Sequence, residues 1–301
     1  MSRSISLPAT VPTDVPLART RGRFRRRRGV LPFSPLHLFL MPTAILFAIP
    51  LVYMISSSLM TKEEIIKSRS LFRLFPSKLT LSGYGYVLTR TSFPRWFLNS
   101  VEVSAIAVVA HLVLCSLAGY AFARLKFRGR GIAFVAIAAT MMIPYPVLMI
   151  PTYRLFNQLG FIDTLAAAFV PWLASAFGVF LMRQFFLNLP KELEDAAMMD
   201  GCSRLKVFLH VILPLARPAL ATLALFTLLS SWNDLVWPLL ALNSDTAYTV
   251  QRGIQTFQSV KKTEYSALMA SNALATMPMV IAFVVAQKRF VETMSFSGLK
   301  G

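Results

Sequence analysis

Asp234 stands in an apolar run, within Ser231-Trp232-Asn233-Asp234 and just ahead of Trp237-Pro238. A carboxylate inside a membrane crossing costs roughly 2.5–3.5 kcal/mol, so it faces a bundle interior or water. Trp232, Asn233, Asp234 and Trp237 would offer aromatic faces to sugar-like rings, and a carboxylate and an amide to hydroxyls. That chemistry suits a hydroxyl-rich solute. The competing reading is that Asn233 and Asp234 bond between helices while the tryptophans mark the membrane interface.

A second polar group interrupts the apolar sequence at Pro190 to Pro214, PKELEDAAMMDGCSRLKVFLHVILP. Pro190 suits the first turn of a helix, where its missing N–H would have no partner, and Glu192, Glu194 and Asp195 set negative charge against the positive end of the dipole. Gly201 stops that helix, because glycine takes the left-handed conformation without a Cβ penalty. Ser203 can then cap a second helix in which Leu205, Phe208, Leu209 and Ile212 follow apolar spacing. The spacing predicts two short helices meeting at a bend, a docking surface for a soluble partner.

The elements that must carry these groups are membrane helices. Hydrophobic residues make up 55% of the 301, charged residues 15%, and the mean hydropathy is +0.59, too apolar for a soluble domain of this size. Six segments reach the roughly 20 residues that cross a hydrocarbon core: 36–58, 98–123, 132–153, 164–186, 214–241 and 266–287. They form one domain over 34–290, with the polar hairpin in a loop at 188–214. Residues 1–33 are rich in Pro, Ser, Thr and Arg and are expected to be a disordered basic tail, and 291–301 a second tail. Pro144, Pro146 and Pro151 are expected to break up the third crossing, and Pro42 and Pro50 the first. The apolar part of the first segment exceeds a signal-peptide core and no small-x-small cleavage site follows, so it reads as a crossing.

An even number of crossings puts both termini on one side. The dense run Arg19 to Arg28, close before the first crossing, places them inside. Against that trend, Thr61 to Arg95 then carries seven basic residues outside. The net charge of +18 arises from residues that flank apolar spans instead of lining one face, which points to anionic membrane lipid and away from nucleic acid. No glycine loop ending in Gly-Lys-Ser/Thr occurs, so ATP is not expected to bind here in that way. His37, His111 and His210 are isolated, and Cys115 and Cys202 lie in separate segments, so neither a metal site nor a disulfide follows. Glu102 and His111 are expected to be structural.

Asp195-Ala196-Ala197, Asp200-Gly201-Cys202 and Ile212-Leu213-Pro214 resemble the cytoplasmic signature loop of ABC importer permeases, E-A-A, then D-G-A, then I-x-L-P. Asp195 replaces the usual Glu, shortening a carboxylate arm by one methylene, and Cys202 replaces the usual Ala. The resemblance to the carbohydrate-uptake, maltose-type branch runs from about Leu79 to Gly301. It takes in Phe97-Leu98-Asn99-Ser100-Val101, Pro151-Thr152-Tyr153, Leu159-Gly160, Asp163-Thr164, the tryptophan group and Gly298-Leu299-Lys300-Gly301.

This resemblance implies an all-α protein with six transmembrane helices and a cytoplasmic coupling helix, in a prokaryotic cytoplasmic membrane with both termini cytoplasmic. It further implies a non-catalytic subunit that works with a second homologous permease, two ATP-hydrolysing subunits that bind ATP and Mg, and an extracytoplasmic solute-binding protein. Glu194, Asp195, Ala196, Ala197, Asp200, Gly201 and Ser203 would then form the coupling surface, with Trp232, Asn233, Asp234 and Trp237 on a translocation path for a sugar or related polyol. The alternatives are a gradient-driven secondary transporter and a membrane-embedded enzyme.

Overall fold

The structure is a computed structural model that describes residues 35–67, 75–258 and 263–297. The expected tail at 1–33 lies outside them, as do residues 298–301 of the expected tail at 291–301, whose residues 291–297 are the end of a helix. Eight helices position the candidate sites: α1 Pro35–Ser58, α2 Phe93–Arg124, α3 Arg130–Thr140, α4 Tyr145–Gln158, α5 Ala176–Leu187, α6 Glu192–Met199, α7 Arg217–Trp232 and α8 Tyr265–Ser297. No strand occurs among the described residues. The chain divides into two units, Met1–Ala48 and Ile49–Gly301. In the first, Pro35 to Ala48 is helical, and Leu38, Phe39 and Phe47 are exposed.

Within the second unit, α2 is the central rod. Its 32 residues span about 48 Å at 1.5 Å per residue, longer than a bilayer core of roughly 30 Å. Its polar side chains Asn99, Ser100, Ser104, His111 and Ser116 are buried, while Leu98, Val109, Val113 and Leu117 face outward. That inversion of the soluble pattern is what lipid requires, because polar atoms find partners only inside the bundle. His111 bonds Trp172 O and Ser175 Oγ, both at 2.9 Å, a structural role as expected. α2 and α5 meet at Gly119 and Gly178, where an added Cβ would sit 2.7 Å from the Met182 Cβ and from the His111 ring respectively. Only glycine lets these backbones approach so closely.

α1, α2, Leu165–Leu187 and Tyr265–Val285 are long and apolar enough to cross a membrane, and two further crossings are bent pairs. The crossing expected at 132–153 is two pieces: α3 and α4 meet at 100°. Pro144 and Pro146 cause the break, since the residue before a proline is driven from helical geometry and the ring itself is accepted in a first turn. By contrast α4 runs on through Pro151 and α1 through Pro42 and Pro50, correcting the expectation for those three prolines. Thr43 Oγ1 donates to Phe39 O at 2.8 Å in α1, the side-chain bonding that membrane helices use around a proline. The crossing expected at 214–241 ends at Trp232: Arg204–Leu215 bends 77° into α7, and a short helix, Val236–Ala241, follows a break at Asn233 to Leu235.

Two apolar cores fill the second unit, one toward each end of α2. Phe93, Trp96, Val103, Phe156, Trp232 and Trp237 belong to the first, with Tyr248 and Phe257 from the loop after α7. Cys115, Tyr120, Met182, Phe186, Phe208 and Ile212 belong to the second, which lies under the polar hairpin.

Candidate functional site

The hairpin folds as its residues dictate. α6 carries Glu192, Glu194 and Asp195 in its first turn. It ends in two reciprocal bonds, Cys202 N–H to Ala197 O at 3.0 Å and Gly201 N–H to Met198 O at 3.1 Å, with Gly201 at φ +83°. This is the Schellman arrangement, and only glycine adopts that φ without strain. Ser203 Oγ accepts from Lys206 N at 3.4 Å and starts the second arm. Pro190 stands one residue ahead of the N-cap, Lys191, and not in the first turn as expected. Ahead of Pro214, which has no N–H, the second arm widens into a π-helix over Phe208–Ile212, and Leu213 N–H bonds Phe208 O. Such bulges are frequent at functional sites.

The elbow therefore has two faces. Inward lie Glu194, Val207, Phe208 and Ile212, all buried, with Ala197 and Cys202 packed partly against them. Outward lie Ala196, Asp200, Gly201 and Ser203 together with Met199, 83% exposed, Leu205, 61%, and Leu193, 42%. Leu205 and Leu209 point away from the core that the spacing had assigned to them. Asp195 is partly exposed and pairs with Lys191 at 3.5 Å, a surface pair of little energetic weight. Of the seven residues expected to form one coupling surface, Glu194 is buried inward and Ala197 packs partly against the core, while the other five stay at least partly exposed.

Glu194 meets residues that sequence reasoning missed. Its Oε1 lies 2.8 Å from Arg124 Nε, close enough for an ion pair but without the alignment of a hydrogen bond, and Tyr120 OH donates to Oε2 at 3.2 Å. Arg124 Nη2 also donates to Phe186 O at 2.7 Å and Leu189 O at 2.5 Å. The available signal was a cation in the last turn of a long apolar helix, where it needs either water or a partner.

The second candidate group does not converge as one aromatic and polar cluster. Trp232 is buried and donates Nε1–H to Ala275 O at 3.0 Å. Trp237 is fully buried, donates to Ala167 O at 2.8 Å and meets Phe156 edge-on at 5.4 Å. Both indoles are occupied in packing. Asn233 is exposed and bonds Leu229 O one turn back, at 2.8 Å. Asp234 lies beyond the end of α7, half-buried, and its Oδ2 accepts from Trp172 Nε1 at 3.3 Å. Trp237 N donates to Asp234 Oδ1 at 3.5 Å, so Asn233 and Asp234 are the less buried members of the group.

At the far end of α2 the loop 242–250 is strapped down. Trp96 Nε1 donates to Asp245 O at 3.0 Å, Asn99 Nδ2 donates to Thr246 O and Tyr248 O at 3.0 and 2.8 Å, and Ser100 Oγ accepts from Val250 N at 2.7 Å. Asp163, at φ 63°, accepts from the backbone N–H groups of Asn243 and Ser244 at 2.7 Å each and from the Ser244 hydroxyl. Its slight burial acts to raise its pKa. The Ser244 hydroxyl and the two N–H groups outweigh that and hold the carboxyl below its usual range. Among the described residues no group of three His, Cys, Asp or Glu could hold a metal ion.

Residues 112–296, which include the whole elbow and α7, match the family described as the binding-protein-dependent transport system inner membrane component. The chain is 35% identical to the arabinooligosaccharides transport system permease of Halalkalibacterium halodurans, over 86% of this chain and 93% of that protein. It is 31% identical to the trehalose/maltose transport system permease of Thermococcus litoralis, over 86% and 93%. A solved bacterial ABC transporter that imports the acidic polysaccharide alginate superposes with a TM-score of 0.74 at 26% identity, covering 86% of this chain and 99% of the matched chain. The chain belongs to the family of inner membrane components of binding-protein-dependent transport systems.

Proposed function

We propose that the chain is one permease subunit of an ATP-driven ABC importer that forms part of the translocation path for a sugar or related polyol. The elbow carries this reading: a bent, two-faced surface set between membrane helices, apolar on its outward side at Leu193, Met199 and Leu205. An exposed patch of that kind marks a protein interface. The occupant is an ATP-hydrolysing subunit, one of two, which bind the ATP and Mg. This chain itself holds no cofactor and catalyses no reaction. A second homologous permease completes the path, and an extracytoplasmic solute-binding protein delivers the solute.

The membrane is the prokaryotic cytoplasmic one, and both termini lie inside, as the arginine run before α1 favours. Closure of the ATPase pair would push the elbow and tilt the helices behind it, alternating access to a central cavity. Asn233 and Asp234 are the groups we assign to solute hydroxyls. The sugar class rests on relatives named for arabinooligosaccharide and trehalose/maltose transport and on the alginate importer.

The test is reconstitution of the chain with its companion subunits and binding protein in lipid vesicles, followed by uptake of labelled arabino- and maltooligosaccharides. Uptake that requires ATP and stops with vanadate is expected. Flux driven by an ion gradient and indifferent to vanadate would instead establish a secondary transporter.

A further inference from the structure

One turn of α2, Tyr120 to Arg124, touches both arms of the elbow. Residues four apart share a helix face, so Tyr120 and Arg124 act side by side. Arg124 meets Glu194 on the first arm, the carbonyl of Phe186 in the last turn of α5, and that of Leu189 in the connection between them. The Tyr120 ring lies 4.9 Å from Phe208 on the second arm and 5.9 Å from Phe186. One residue before Tyr120, Gly119 brings the α2 backbone against Met182 and Arg183 of α5. The contacts of two arms and two membrane helices therefore converge on a single turn.

The kind of contact matters. Apolar surfaces slide past one another at little cost, whereas a planar guanidinium bonded to two carbonyls and ion-paired with a carboxylate fixes direction as well as distance. The side chains of Arg124 and Glu194 are only 11% and 7% exposed. Separating such a pair would strand a charge away from water, so it resists opening where the exposed Lys191–Asp195 pair would not. We infer that Arg124 and Glu194, aided by Tyr120, are positioning residues that lock the elbow to the end of α2 as one rigid body. Displacement of the elbow then becomes displacement of α2 and, through Gly119, of α5. This inference rests on the reading of the chain as an ATP-driven permease subunit, and it adds the link through which that subunit receives its motion.

The experiment uses the assembled transporter in lipid, with Cys115 and Cys202 replaced by alanine and spin labels attached at Leu117→Cys on α2 and Lys206→Cys on the elbow, both exposed positions. Distances are measured by pulsed electron paramagnetic resonance without nucleotide and with ATP and vanadate. With Arg124 and Glu194 in place the distance should stay fixed, shifting less than the roughly 2 Å of an ordinary helix adjustment. In Glu194→Gln the distance should move with nucleotide, and uptake per ATP hydrolysed should fall roughly tenfold, within the range of coupling between linked sites, while hydrolysis changes less than about twofold. A distance that moves by several ångströms with the pair intact overturns the inference, as does a Glu194→Gln transporter with unchanged uptake per ATP. Should that variant fail to assemble, the distance in the intact pair decides alone. If the intact transporter shows no vanadate-sensitive uptake, the importer reading and the link fall together; normal uptake with a moving distance removes the link only.

Discussion

The two ends of α2 are held by opposite strategies. At the Phe93 end, Trp96, Asn99 and Ser100 bond the loop 245–250, and Trp96 packs 5.9 Å from Phe257 and 6.2 Å from Tyr248. The polar side-chain atoms of Trp96, Asn99 and Ser100 are there spent on the chain itself. At the Arg124 end, a buried ion pair with its bonded neighbours adds to the apolar core under the elbow, and the outward face carries Leu193, Met199 and Leu205 among polar and charged side chains. The first end is built to stay closed. On the proposed function, the second would be gripped from outside and would move as a piece.

Breaking the closed end should have the largest effect on stability. Trp96→Ala removes a buried aromatic and the hydrogen bond to Asp245 O, at a cost of about 3–5 kcal/mol. Its level in the membrane should fall sharply in a thermal-aggregation assay, and transport should fall only in proportion to the protein remaining. Gly201→Val acts on the other end with the reverse signature. The left-handed φ would cost a side chain roughly 1–2 kcal/mol, more for a β-branched one, which local rearrangement can absorb. Uptake should drop to background while quantitative blotting finds the usual amount in the membrane; normal uptake would show that the bend is dispensable.

A third variant sharpens the contrast between the elbow and the group beyond α7. Asp234→Asn keeps a side chain that can accept from Trp172 but loses its charge. A severalfold change in solute preference is expected in competition assays, with ATP hydrolysis per complex preserved. The smallest effect belongs to Asp163. Because its folded-state pKa is depressed, its contribution is complete above the ordinary carboxylate value of about 3.9 and is lost as pH falls through the lower folded value. Hydrogen-exchange protection of the Asn243 and Ser244 amides, corrected for intrinsic rates, should decline in acid in the native protein. In Asp163→Ala, which removes the acceptor, it should be low and independent of pH.

What the sequence made legible was local. Glycine stops, serine caps and first-turn acids act over three or four residues, so Gly201, Ser203 and Glu192 to Asp195 could be read directly. Proline before proline-rich turns was equally plain at Pro144 and Pro146, yet Pro42 and Pro50 sit inside a helix that simply continues. The inward turn of Glu194 was not readable, because it depends on how α6 lies against a turn of α2 seventy residues earlier. Nor was the burial of Trp232 and Trp237. An indole in an apolar run suits a solute, an interface or a neighbouring carbonyl equally well, and only the break after Trp232 directs these two to Ala275 and Ala167.

The central claim, that the elbow receives motion from a nucleotide-driven partner, is tested most directly by cross-linking. A cysteine at Met199, with Cys202 replaced by alanine, can be probed in oriented membrane vesicles with a short bifunctional reagent. The account predicts labelling from the cytoplasmic side only and a covalent product with the ATP-hydrolysing subunit whose yield changes with nucleotide. Labelling from the outer side, or no product with that subunit in an actively transporting complex, would contradict it.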